Sequence, residues 1–315
     1  MIVLDKKRSW LRMVFALRGS VITTIWPRIA VVTFFAATIT YLDQSAYIDI
    51  HSNLDTKIPL GMVGLAMAIF LGFRNNESYE RFWEGRKLWG RMVNVSRTFS
   101  RQVLYIINPQ KESDSEVVTA FQHEIVRATI AYVHSFRHHL RDTDPQKELD
   151  QYLDPSDKEF AMSHWNVPNA ILQQIGMKIR KAWHSGYLHE YHLPVLEESL
   201  TEMMGVQGGC ERIKSTPLPF TYNVLIHRIV CVYCLAVPFA LLESSGWWTP
   251  VEVCLISYAL FGLDAIGDEV EQPFEWDDND LPLDGISRTI EINLLEMIGE
   301  EDKPEPLKPT NGVLL

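Results

Sequence analysis

At 315 residues the chain suits one large domain or two small ones. A net charge of −11 without a basic stripe excludes a general nucleic-acid binder, and four cysteines (Cys210, Cys231, Cys234 and Cys254) are too few in so long a chain for a disulfide framework. Hydrophobic residues reach 47 % while the mean hydropathy is only −0.04, so the average conceals segregation into apolar and charged stretches.

Four apolar stretches stand out. The first, Ile29 to Leu42 (IAVVTFFAATITYL), is preceded by Val21 to Trp26 and by the basic residues Lys6, Lys7, Arg8, Arg12, Arg18 and Arg28; no Ala-x-Ala-like site marks it as a cleaved signal. The second, Ile58 to Phe73, carries no charge. The third is Ile229 to Leu242, and the fourth, about Trp247 to Leu263, carries only Glu252. None supplies the ~18 uncharged residues of a self-evident span, so the buried helices of a soluble all-α interaction protein are the competing reading. Two features favour a membrane. The loop between the first two stretches has one basic residue, Lys57, and the loop between the last two has none, which puts both termini and the middle of the chain in the cytoplasm of an inner-membrane, multi-pass protein. Trp26, Tyr41, Trp247 and Trp248 also sit at segment ends, where amphipathic rings prefer the interface. The expected spans are about 22–42, 58–74, 226–243 and 247–264. Cys231 and Cys234 have zinc-like spacing but fall inside the third stretch, where they read as small buried hydrophobes.

Between the second and third spans, residues 75–225 read as a helical cytosolic region. Asn75 to Leu104 and Ser113 to Leu140 have helical periodicity. Breaks are expected at Asp142–Pro145, Asp154-Pro155 and Pro168. A helix from Pro194 is expected to stop at Gly208-Gly209. Near the end, Ile286 to Ile298 predicts a short amphipathic helix, followed by a flexible tail over 300–315.

Within the second span, residues four apart share a helix face. Leu65, Ile69 and Phe73 form a bulky apolar row, and Gly64, Ala68 and Gly72 form a small one beside it. Small residues let helices approach closely in a membrane, so copies of this helix gathered about an axis would turn the bulky row into a hydrophobic constriction that gates by dewetting. Pro59 suits the first turn, and the positive helix start beyond it attracts anions; Asp49 and Asp55 in the same outer loop attract cations.

The second span runs directly into Phe73-Arg74-Asn75-Asn76, then Tyr79, Arg81-Phe82-Trp83-Glu84 and Arg86-Lys87-Leu88-Trp89-Gly90. A second block is Gly208-Gly209-Cys210-Glu211-Arg212 with Pro217-x-Pro219-Phe220. A third is Asp268-Glu269 to Pro273-Phe274 with Asn279-Asp280-Leu281-Pro282-Leu283-Asp284. Three such blocks in this order resemble the bestrophin family in its bacterial form, over about Trp10 to Gly299. The resemblance implies an all-α subunit with four transmembrane helices and a helical cytosolic region, residues 1–299 making one channel domain. It implies a homopentamer around an axial pore that passes small monovalent ions, chloride foremost, without catalysis; a sodium-selective relative of the same fold is the alternative. By position, the pore neck falls on Leu65, Ile69 and Phe73, and a cytosolic aperture falls near Tyr191. The acidic run Glu275 to Asp280 stands where family members carry a calcium clasp, and Asp277 and Asp280 occupy the carboxylate positions suited to Ca2+. Partners beyond the permeant ions are the bilayer and further copies of the chain, with no nucleic acid.

Other groups read as structural. His134 and His138 lie four apart, a spacing open to a transition metal, but no third ligand is evident. Glu77, Glu80 and Glu84 with Arg74 and Arg81 suit ion pairs along one helix face rather than a catalytic carboxylate pair. Asp264, Asp268, Glu269 and Glu271 mark the membrane boundary at the end of the fourth span.

Overall fold

The computed structural model describes residues 14–17, 19–45, 57–310 and 312–314. The expectations for Lys6, Lys7, Arg8, Arg12, Arg18, Asp49 and Asp55 fall outside these residues. Among the described residues ten α-helices form: α1 (Ile22–Gln44), α2 (Lys57–Ile106), α3 (Ser115–Leu140), α4 (Gln146–Tyr152), α5 (Pro155–Met162), α6 (Val167–His184), α7 (Leu193–Ser215), α8 (Phe220–Ser245), α9 (Thr249–Glu271) and α10 (Leu283–Met297). The remaining regular structure is short 3-10 turns and one bridge between Thr310 and Val313. The chain divides into two compact units. One holds residues up to Phe82 together with Pro217–Gln272; the other holds Trp83–Thr216 and Pro273–Leu315.

The first unit consists of α1, the opening part of α2, α8 and α9. Its core joins Ile25, Val32 and Ala36 of α1, Met67 and Leu71 of α2, Ile226, Val230, Cys234 and Val237 of α8, and Val253, Phe261 and Ala265 of α9. Each set recurs at steps of one turn (three or four residues) or two turns (seven or eight) and so lines a single stripe of its helix. The rest of each helix is also apolar, yet only 22 % of the apolar window of α1 and 28 % of that within Phe220–Glu271 is buried. By length and composition these stretches can cross a membrane. α8 ends at Gly246, whose φ of 49° needs a residue without Cβ, and Pro250 then opens α9 in its first turn. Of the cysteines here, Cys234 is buried and Cys231 is exposed.

The second unit is built around α3, whose side chains from Ala128 to Arg137 are all buried. Trp89 of α2 stacks on Phe136 with centroids 5.2 Å apart, and Tyr132 stacks on the same ring at 6.2 Å. α6 and α10 flank α3 with apolar stripes that include Ile171, Ile175 and Ile179, and Ile290, Leu294 and Leu295. Asn166 caps α6 by accepting from the Asn169 N–H, so the expected break at Pro168 is the start of a helix. The end of the chain is seated on this unit: Arg127 pairs with Glu300, Val313 is buried, and Leu314 lies against Gly285.

The second span and the charged stretch after it form one unbroken helix of 50 residues, because no Pro or Gly-rich break separates the two periodic patterns. One expectation needs correction: α7 does not stop at Gly208-Gly209 but continues to Ser215. Gly209 is there for contact: a Cβ at that position would stand 2.9 Å from Leu88 Cδ1.

Candidate functional site

The apolar opening part of α2 has one narrow packed seam. Met67, Leu71, Arg74 and Ser78 are buried, following Leu60 and Gly64 at steps of three and four. At about 100° per residue, Leu65, Ile69 and Phe73 lie about 180° from this seam. They are 66 %, 51 % and 63 % exposed. The expected neck row is therefore the face turned farthest from the chain's own core. Its flanks differ. Gly61, Ala68 and Gly72 give one small exposed side, while Val63, Ala66 and Phe70 make the other side bulkier. Gly64 leaves the small row: a methyl there would meet Tyr233 Cζ at 2.9 Å, so this glycine admits α8.

Immediately after Phe73 the helix is clamped. Arg74 is fully buried; its Nη1 donates to Asp264 Oδ1 at 2.8 Å and to the Asp264 carbonyl at 3.2 Å, and its Nη2 donates to Asp268. Asp264 also meets His227 Nδ1 at 2.7 Å. Asn75 donates to the Leu263 carbonyl at 2.9 Å, and Arg81 to the Glu271 carbonyl at 3.2 Å. Gly267 makes room for this, since a Cβ there would stand 2.5 Å from Asn75 Oδ1. Thus Phe73 faces out while Arg74 and Asn75 fix the same turn to α9. Arg74 pairs across helices rather than along its own, because it sits on the buried seam. Asp264, expected at a membrane boundary, is the buried anion of the clamp. Glu271 accepts from the Leu218 N–H and from Asn223, tying the end of α9 to the start of α8.

In the other unit, Tyr191 lies in a 3-10 turn, 77 % exposed, its ring stacked on His189 at 5.1 Å. The acidic turn before α10 separates its two candidate ligands. Asp277 is exposed, whereas Asp280 is buried and accepts from the Asp277 N–H at 2.8 Å. Burial pushes the Asp280 carboxyl up to about 7; the Asp277 N–H opposes this, and the charges of Asp277 and Glu275 add to it. Sequence reasoning missed Arg141, which holds the turn together. Its Nε donates to the Phe274 carbonyl at 3.1 Å, its Nη2 to the Leu281 carbonyl at 3.3 Å, and its Nη1 to Asp284 at 2.9 Å. Its guanidinium lies 4.0 Å from the ring of Trp276, so the tryptophan interrupting the acidic run has a packing task. Calcium takes six to eight oxygens. In this turn two carbonyls already serve Arg141 and the Asp280 carboxylate serves a backbone N–H, whereas Asp277 is exposed.

His134 and His138 are drawn to different partners. His134 Nε2 lies 3.1 Å from buried Glu291, which Tyr152 also engages; burial lowers the His134 pKa, with the Glu291 hydrogen bond opposing. His138 meets Thr143 at 2.6 Å and Glu148 at 3.3 Å. Burial alone would raise the Glu148 carboxyl, but hydrogen bonds from His138 and Arg137 outweigh it and hold the group at about 2.

Among the described residues the chain is all-helical, and its longest helix sets a narrow packed seam opposite an exposed apolar row. Residues 1–296 match the family described as Bacterial/Fungal Bestrophin protein. A protein of Ralstonia nicotianae named voltage-dependent anion channel-forming protein RSc3414 is 39 % identical over 92 % of both chains. The voltage-dependent anion channel-forming protein YneE of Escherichia coli K12 is 34 % identical over 98 % of this chain and 97 % of its own. The crystal structure of a bacterial bestrophin homologue from Klebsiella pneumoniae superposes with a TM-score of 0.79 at 34 % identity, over 88 % of this chain and all of that one. The chain belongs to the bestrophin family.

Proposed function

We propose that the chain is one subunit of a homopentameric channel in the inner membrane that passes small monovalent anions along its symmetry axis, without chemical turnover. The observation that carries this reading is the exposure of Leu65, Ile69 and Phe73 opposite the seam that packs α2 into its own subunit. In water, three large apolar side chains in a row would be a liability; around an axis they form a dewetting neck. The unequal flanks suit a ring. The small side of one α2 can receive the bulkier side of the next, a heterologous contact that closes by rotation. The five-fold number follows from the bestrophin resemblance, and the anion preference from the names of the relatives.

The uncovered apolar surface of α1, α8 and α9 fits lipid, and exposed Trp26, Tyr41, Trp247 and Trp248 fit the interfaces. In this reading α1, the first part of α2, α8 and α9 are the four spans, both termini are cytoplasmic, and residues 1–299 act as one channel domain with 300–315 as its tail. Tyr191 forms the cytosolic aperture. Asp277, braced by Asp280, is the calcium candidate. His134 and His138 belong to the ion-pair network of α3 rather than to a metal site.

Planar-bilayer recording of the purified protein tests the proposal. In asymmetric sodium chloride the reversal potential is expected to move toward the chloride potential; movement toward the sodium potential would replace the anion reading with a cation channel. Ile69→Ala or Phe73→Ala should raise unitary conductance, and unchanged currents would remove the neck assignment. Calorimetric titration with calcium should give a heat that Asp277→Asn abolishes; no heat in the parent protein ends the calcium reading.

A further inference from the structure

A cavity of about 540 Å³ lies among α1, α8 and α9, and its walls change character along its length. At one end gather Arg28 from the early turns of α1, His227 from the early turns of α8, and Asp264 and Asp268 from the late turns of α9. Beyond them Val31, Val32, Leu235 and Phe261 line an apolar interior. Leu235 lies two turns past His227, about 12 Å along the helix. A charged rim over an apolar bore fits an amphiphile lying with its head at the helix ends and its tail inward. On the membrane reading above, on which this inference rests, that rim is at the cytosolic interface.

The charges select among amphiphiles. Arg74 supplies one positive charge to two carboxylates, Asp264 and Asp268, so this trio carries one net negative charge. Asp264 is enclosed and doubly engaged, by Arg74 and by His227 at 2.7 Å. Asp268 is different: its side chain is 44 % exposed, and His227 Nε2 stands 3.7 Å from it. The rim thus offers an anionic oxygen with an open side, together with the exposed guanidinium of Arg28. A headgroup with net negative charge would bring its phosphate to two carboxylates. A zwitterion satisfies both signs, its phosphate on the fork of Arg28 and its cationic end on Asp268. An ammonium donates hydrogen bonds to a carboxylate, and a quaternary amine has no N–H to give.

We propose that this cavity is a binding site for a phospholipid with a phosphoethanolamine headgroup, seated at the rim with an acyl chain between α1 and α8. Because His227, Asp264 and Asp268 contact Arg74 or its partners, such a lipid would bear on the clamp that follows Phe73.

The test is native mass spectrometry of the delipidated protein, titrated with phosphatidylethanolamine, phosphatidylcholine and phosphatidylglycerol of matched acyl chains. Phosphatidylethanolamine should bind roughly tenfold more tightly than phosphatidylcholine, as one charge-assisted hydrogen bond would give. Asp268→Asn should erase that preference, and Arg28→Gln should weaken both lipids alike. Equal binding of the two, or tightest binding of phosphatidylglycerol, overturns the proposal. Displacement by soluble phosphoethanolamine at equal concentration also overturns it, making the cavity a site for a small solute. Should Asp268→Asn fail to fold, the lipid series on the parent protein and Arg28→Gln still decide. Carbonate extraction keeps the two failures apart: release of the chain defeats the membrane reading, whereas a retained chain without lipid preference defeats only the lipid site.

Discussion

Between Leu65 and Phe73, helix α2 exposes Leu65, Ile69, Phe70 and Phe73; between Trp89 and Val103, it buries Trp89, Met92, Val95, Phe99 and Val103 almost completely. Both stretches lie on one helix and are rich in large apolar side chains. The later one is amphipathic, with Arg91, Arg97 and Arg101 off its apolar stripe, and the protein itself covers that stripe. The earlier one is apolar all round, and the protein covers only a seam. A continuous helix can therefore pass from a segment that asks for water on one side to a segment that asks for something other than water everywhere. On the proposed reading, further copies of α2 and lipid cover what the single chain leaves bare.

Substitutions to alanine should separate the two stretches. Trp89→Ala removes a fully buried ring stacked on Phe136 and should cost about 3–5 kcal/mol, read as a large fall in the melting temperature of the detergent-solubilised protein. Ile69→Ala creates no cavity within the chain, so its effect should appear in conductance and its melting should change little. Equal melting losses would mean that the exposed row is packed in the assembly and is not an open neck.

The clamp between the stretches should be nearly as sensitive. Arg74→Ala leaves buried Asp264 without its cation, a loss of about 3–5 kcal/mol for a broken buried pair. Arg127→Ala, at a half-exposed pair with Glu300, should cost under about 1 kcal/mol. Thermal unfolding of the two variants side by side checks this. Comparable losses would show that Arg74 is not the fastening of α2 to α9.

Much of this was readable in advance, for physical reasons. The apolar runs were visible because a chain placed in lipid must segregate its composition, and the row Leu65, Ile69 and Phe73 followed from helical period alone. Which side of α2 is packed was not visible, because every side there is apolar and period cannot rank equals. Local signals misled where a residue's task is a distant contact. Gly208-Gly209 has the composition of a helix stop, yet Gly209 answers to Leu88. Arg141 carried no local signal, because its partners Phe274, Leu281 and Asp284 come more than 130 residues later. Trp276 read as an interruption for the same reason.

The glycine pair gives the smallest effects and the finest comparison, since its members are neighbours in α7 with opposite surroundings. Gly209→Val would push two methyl groups into Leu88 and should cost about 1–3 kcal/mol, as overpacking does. A Cβ at Gly208 meets nothing within 4 Å, so Gly208→Ala should stabilise the helix by about 0.5–1 kcal/mol, because alanine gives up less backbone freedom on folding. A small rise in melting temperature for Gly208→Ala beside a clear fall for Gly209→Val would confirm that only one glycine is there for contact. A fall for both would carry more information. The chain by itself leaves Gly208 in open space, so a methyl that destabilises it would point to a contact outside the chain, as the proposed channel gives for the row on α2.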